Sequence, residues 1–165
     1  MQALLANMAA AYAIYHGPHG LRAIAERVHN LTKVLAAGLK NLGCTLRHDD
    51  FFDTLRIFGG AKNSIVREVA EGRGVNLRYF ENGDVGVALD ETVGVGDLDT
   101  LFAIFGEAGE REAGVTAEGL AAGLEAGYEG ALARTSGFLE HPVFNQYHSE
   151  TELMRYLNRL ASRDL

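Results

Sequence analysis

The chain has 165 residues, 47% of them hydrophobic and 22% charged, with a formal net charge of −7. That size and balance suit one ordinary domain with its own core, and the acidic balance excludes general nucleic-acid binding, which needs a basic face against phosphates. A lone cysteine, Cys44, excludes an intrachain disulfide and fits a reducing cytoplasm, and no uncharged apolar run is long enough to span a membrane.

The opening MQALLANMAAAYAIYHG is apolar but lacks the basic start of a signal peptide. Its amphipathic pattern begins at once, as expected of a chain that starts inside a larger unit. Residues 3–16 predict a helix with Leu4, Leu5, Met8, Tyr12 and Tyr15 on one face. Gly17 ends it, and Pro18 suits the first turn of the next helix. Residues 20–42 then carry Leu21, Ile24, Val28, Leu31, Leu35, Leu39 and Leu42 at spacings of three and four, with Gly43 as the stop. That stripe must be buried against a sheet or a partner.

Cys44–Arg47 predicts a short strand, and Asp53–Phe58 a second with Leu55 and Ile57 inward. Ser64 is the expected cap of a short helix through Ile65, Val66 and Val69, ending at Gly72. Two alternating runs, Val75–Phe80 and Val85–Asp90, flank Glu81-Asn82-Gly83-Asp84. Asn-Gly between such runs predicts a hairpin over 75–90 with a type I′ turn. Asp97 is the expected cap of a helix bearing Leu98, Leu101, Phe102 and Phe105, closed by Gly106. The fold class is therefore α+β, a mostly antiparallel sheet covered by helices.

Residues 107–137 are rich in Gly, Ala and Glu and predict a linker with weak helix at Ala117–Ala126. Residues 138–165 form a separate segment: an aromatic loop, then a helix headed by a Ser149–Glu152 capping box and bearing Leu153, Leu157 and Leu160. Three segments follow: a small α+β domain over 1–106, the linker, and a loop plus helix to Leu165. Both ends read as cut.

No metal set is expected. His16 and His19 are separated by a helix-breaking Gly-Pro, and Val93–Asp97 is too acidic to hold a phosphate at the following helix. Gly72-Arg73-Gly74 precedes a strand, the wrong context for a nucleotide loop. Cys44 reads as a small buried hydrophobe without an activating base. Arg78 is the charged residue that stands out. It lies mid-strand, opposite in facing to Val75, Leu77 and Tyr79, and is a surface charge or a fork for a carboxylate or phosphate, depending on what its face meets.

Four strings, LLANMAAAYAIYHGPHGLRAIAERVH (4–29), DDFFDTLRI (49–57), NLRYFENGDVGVALDET (76–92) and FLEHPVFNQYHSETELMRYL (138–157), together resemble the P-protein of the glycine cleavage system, a pyridoxal-phosphate-dependent glycine decarboxylase. The resemblance implies two related halves, each built like a fold-type-I pyridoxal-phosphate enzyme. It places this chain at the small C-terminal domain of the first half plus the crossover into the second. It implies that the cofactor lysine lies elsewhere. Lys33 and Lys40 sit on a polar helix side and Lys62 follows a Gly-Gly turn, so this chain alone is expected to hold no cofactor and no catalytic residue. The implied partners are the remaining P-protein segments and, through the whole enzyme, the lipoyl H-protein, in the cytoplasm. Arg78, His141, Asn145, His148 and Glu150 are the expected interface or active-site-wall residues, the last four because the loop's aromatic and polar groups lack local partners. A second reading, from another class, is a free-standing module that dimerises through the stripe Leu21–Leu42.

Overall fold

A computed structural model describes residues 2–111, 114–125, 127–128 and 133–163. The expected helix end at Ala126 and the terminal Leu165 lie outside the described residues. The chain forms two compact units, Glu26–Tyr128, and Met1–Ala25 with Glu129–Leu165.

Helix α1 (Ala3–Asn41) contributes to both units and is kinked where expected, at Gly17 (φ 61°, ψ −177°), with Pro18 in the next turn. Its C-terminal part carries the apolar stripe into the core of the larger unit. Val28, Leu35, Leu39 and Leu42 are buried, and Leu31 packs against them half-buried. From Val28 to Leu42 the stripe is thus spent in the core of its own unit, and that part is not a surface on which a module could dimerise; Leu21 and Ile24 are half-buried in the smaller unit. Thr32 is fully buried on this helix, and its hydroxyl donates to the Val28 carbonyl at 2.9 Å.

The sheet is three-stranded and antiparallel, in the order β1 (Thr54–Ile57), β3 (Val85–Ala88), β2 (Arg78–Tyr79). Leu55 pairs with Val87 and Ile57 with Val85, and all four are buried against the helices, as the alternation predicts. The expected strand Cys44–Arg47 shrinks to one bridge, Leu46 to Ile57, flanked by bonds from Arg47 N to Arg56 O and from Phe58 N to Thr45 O. The hairpin is present but shorter than 75–90: β2 and β3 pair only at Arg78–Gly86 and Tyr79–Val85.

Its turn is also not type I′. That turn needs positive φ at both central residues. Gly83 has φ 85°, but the only non-glycine residues described with positive φ are Glu110 and Leu139. Phe80 instead accepts from Gly83 N and donates to Asp84 O, closing a three-residue loop, Glu81–Gly83. One extra loop residue moves the left-handed conformation onto the glycine alone.

Helix α2 (Asn63–Gly72) follows a 3-10 turn at Gly60–Lys62, and this turn displaces the expected cap. The capping position is Lys62, so Ser64 sits inside the first turn. Helix α3 (Val95–Ala108) begins earlier than expected, with Gly94 at its cap and Asp97 three residues in. From there Asp97 still serves the helix start, accepting the Gly94 N–H at 2.7 Å. Gly106 does not close α3, which runs on to Ala108. Leu98, Phe102 and Ile104 are its most buried side chains. Gly38 of α1 is what admits Phe102, since a Cβ at Gly38 would overlap the Phe102 ring. Gly therefore sits mid-helix despite its propensity cost, because that is where helix backbone and ring meet.

Helix α4 (Ala117–Ala121) is capped by Thr116 and covers only the start of the expected weak helix. Ala117 is buried, and its N–H donates to the Asp99 side chain at 2.8 Å. Lys33 Nζ donates to the Glu125 and Gly127 carbonyls, and Gly127 N donates to Asn30 at 2.9 Å. Residues 114–125 and 127–128 are therefore tied down against α1 and α3. Among the described residues, no helix is long and apolar enough to cross a membrane.

In the smaller unit, helix α5 (Glu150–Ala161) is capped as expected. Ser149 Oγ accepts the Glu152 N–H at 3.3 Å and donates to Glu152 Oε2 at 3.1 Å. Its apolar side is uncovered: Met154, Leu157 and Leu160 are exposed, as are Leu4, Leu5 and Met8 of α1.

Candidate functional site

The residues that carry chemistry lie on the outer face of the sheet, the one turned away from the helices. The register sets them in rows. Arg47 stands beside Arg56 through the Arg47 N to Arg56 O bond, Arg56 pairs with Gly86, and Gly86 pairs with Arg78. Two residues along on the same face lie Phe58, Asp84 and Phe80. Three arginines and two phenyl rings thus share one surface with a single carboxylate.

Asp84 is fully buried beneath this row. Arg47 grips it through both oxygens, Nε at 2.9 Å and Nη2 at 2.8 Å. Arg56 Nε donates at 2.7 Å and Asn82 Nδ2 at 3.1 Å. The Arg47 fork foremost, then Asn82 and Arg56, hold the carboxyl down to about 2 against the opposing effect of burial. The same bond raises the Arg47 guanidinium. One acid therefore neutralises one of the three arginines.

The rings organise the remaining charge. The Arg47 guanidinium lies 4.5 Å from the Phe58 centroid, and Arg56 and Arg78 lie 4.1 and 4.8 Å from that of Phe80. Phe80 covers Gly86, where a Cβ would come within 3.1 Å of the ring. Glycine at that register position leaves room for the phenyl ring, which both guanidiniums approach. Arg78 itself is exposed, and among the described residues no carboxylate pairs with it.

A cavity of about 560 Å³ adjoins Arg78. It opens because β2 leaves β3 after Arg78–Gly86, so that Val75–Leu77 no longer pair with Val87–Leu89. Leu77, Val87, Leu89 and Leu101 give it an apolar lining; Arg56 and Arg78 bring positive charge to it and Asp97, which accepts the Gly94 N–H, one carboxylate. On the helix side of β2, Tyr79 has its hydroxyl buried without a hydrogen-bond partner among the described residues, under the Arg67 guanidinium at 4.2 Å from its ring. Burial, with Glu71 nearby, pushes its phenol up.

The other expected site residues belong to the smaller unit, and all are exposed. His141, Asn145 and His148 have local partners, contrary to the sequence expectation. Asn145 Nδ2 donates to the Leu139 and His141 carbonyls at 3.1 and 3.2 Å, and His141 Nδ1 accepts the Val143 N–H at 3.2 Å. The two residues fold the loop around the 3-10 turn Pro142–Asn145. His148 Nδ1 donates to the Tyr15 carbonyl at 2.8 Å, because a carbonyl only accepts. It rests on the α1 kink, where a Cβ at Gly17 would lie 2.6 Å from His148 Cε1. Tyr147 stacks on Tyr156 at 4.4 Å. Glu150 begins α5, where its charge complements the helix N-terminus.

Sequence reasoning missed the centre of this arrangement. Asp84 reads as a turn residue, and Arg47, Arg56 and Phe80 as ordinary strand positions. The signal was the shared facing of 84 and 86 with 56, visible only once the β1–β3 register is known. His29 was likewise missed: it is buried, bonded to the Phe52 carbonyl at 2.9 Å and stacked on Phe52 at 5.2 Å. Cys44 is half-buried and outside any strand, and burial raises its thiol. Among the described residues, no cluster of His, Cys, Asp and Glu is arranged to hold a metal ion.

The family model of the glycine cleavage system P-protein matches residues 1–105. The chain belongs to that family. It is 50% identical over 164 residues to the human mitochondrial glycine dehydrogenase (decarboxylating), with 99% of this chain covered and 16% of that protein. The glycine dehydrogenase (decarboxylating) of Vibrio cholerae is 48% identical over 163 residues, 99% of this chain and 17% of its own length. That of Stutzerimonas stutzeri is 50% identical over 167 residues, with 17% of its length matched. The chain thus spans about a sixth of the length of the curated relatives it matches, and the likeness to them runs past the family match into the loop and helix over 138–157.

Proposed function

We propose that this chain is a structural portion of a glycine decarboxylase, working only with the rest of a P-protein. The observation that carries the reading is the match over 99% of this chain to proteins about six times its length. In this reading the larger unit is the small domain of a fold-type-I pyridoxal-phosphate half. Residues 138–165 are the crossover to the second half, and the complete enzyme takes glycine and hands its aminomethyl group to the lipoyl H-protein in the cytoplasm. Pyridoxal phosphate, bound by the whole enzyme, supplies the electron sink for loss of the glycine carboxyl.

The residues here do not fit that cofactor. Lys33 Nζ is held by the Glu125 and Gly127 carbonyls, Lys62 Nζ reaches the Gly109 carbonyl at 3.5 Å, and Lys40 pairs with the exposed Asp49 at 3.7 Å. None of them lines the cavity. An imine-forming lysine needs a desolvated amine in a cleft, so the reading assigns the cofactor lysine to the remainder. Arg78, His141, Asn145, His148 and Glu150 are then contact residues. His141, Asn145 and His148 fix the loop's shape, and Arg78 offers a free charge.

Borohydride reduction of the chain with pyridoxal phosphate tests this. The account expects no stoichiometric adduct on Lys33, Lys40 or Lys62. One lysine labelled to completion would place the cofactor here and contradict it.

A further inference from the structure

We propose that the outer sheet face and the cavity beside it receive one extended segment of the remaining P-protein, with a carboxylate on Arg78 and an apolar side chain in the cavity. The proposal rests on the family reading above and names the contact it requires. Three observations carry it, and the first is charge. In a chain of net charge −7, this face gathers Arg47, Arg56 and Arg78 against Asp84, which is fully buried and taken up by Arg47 and Arg56, while the cavity adds one further acid, Asp97, engaged by the Gly94 N–H. The surplus is positive and sits at Arg78, whose guanidinium is oriented by the Phe80 ring and pairs with no carboxylate among the described residues. A planar, pre-oriented guanidinium matches a carboxylate in two hydrogen bonds.

The second observation is shape. The ladder between β2 and β3 stops at Arg78–Gly86. Beyond it lies the apolar cavity of about 560 Å³ between Leu77 on one side and Val87, Leu89 and Leu101 on the other. Arg78 lines its edge, so a chain that reaches the arginine with one side chain sets a neighbouring one over the opening. The third is exposure: Phe58, beside the arginine row, is 52% exposed. With the apolar opening beside it, this exposed phenyl adds surface that a partner lying on the face would cover. The occupant comes from the same protein because the matched relatives carry about five-sixths of their length outside this region.

Hydroxyl-radical footprinting of this chain, free and co-expressed with the remaining P-protein segments, tests the proposal. Oxidation of Phe58 and Phe80 should fall several-fold in the complex. Arg78→Glu should restore it, while Arg78→Lys, which keeps the charge, should not. A complex that forms and leaves both rings as reactive as in the free chain overturns the proposal while leaving the family reading intact. Protection that survives Arg78→Glu also overturns it, since the carboxylate contact is then absent. Protection in the free chain that grows with its concentration assigns the face to a second copy and overturns it too. If no complex forms at all, the proposed function fails with it.

Discussion

At the scale of single residues, Asp84 is the group on which the outer face depends. Its carboxyl is held near 2, mainly by the Arg47 fork, against an unfolded carboxylate near 3.9. The folded value is the lower one, so the stabilisation is complete above about pH 4 and is lost as pH falls toward 2. Thermal melts should therefore be nearly level above pH 5 and drop steeply between pH 4 and 2, and Asp84→Asn should be less stable at neutral pH and lose that part of the drop. Tyr79 is the opposite case, a hydroxyl buried without a partner. Removing it takes away a desolvation cost of about 1 kcal/mol or more. Tyr79→Phe should accordingly melt at or above the parent temperature, and a clear loss of stability would show that the hydroxyl is satisfied after all.

At the scale of elements, the contacts that hold the layers together pass through particular glycines and caps. Gly38 lets Phe102 lie against α1, so Gly38→Ala overpacks that contact and should cost about 1–3 kcal/mol in denaturant unfolding, despite alanine's better helix propensity. Helix α5 has no fully buried side chain, only the half-buried Leu153 and Tyr156, and leans on its cap. Ser149→Ala should cost about 1 kcal/mol locally, read as faster amide exchange over the first turn of α5. The elements most legible in the sequence are those with a strong period. The stripe of α1, the inward pair Leu55 and Ile57, and the Ser149 cap follow from spacing alone. The edges were harder. Whether Cys44–Arg47 forms a strand or a single bridge, where β2 leaves β3, and how many residues the turn at Gly83 takes depend on tertiary packing. Local pattern does not encode it. The candidate site was legible only at Arg78. Its neighbours Arg47, Arg56 and Asp84 come together through register between strands about 30 residues apart, which no spacing rule anticipates.

At the scale of the whole molecule, the chain has a core of its own in Glu26–Tyr128 and a smaller unit whose apolar helix faces are uncovered. Exposed Leu4, Leu5 and Met8 on α1, with Met154, Leu157 and Leu160 on α5, make more apolar surface than a unit that works alone would leave in water. Such faces invite a covering partner, and the chain spans about a sixth of the length of the relatives it matches. The most direct test is exchange of the glycine carboxyl with labelled bicarbonate, in the presence of lipoyl H-protein and pyridoxal phosphate. It would be measured for this chain, for the remaining P-protein segments, and for the two co-expressed. The account predicts exchange only in the third sample. Exchange by this chain alone, or a co-expressed pair that neither associates nor exchanges, would contradict it.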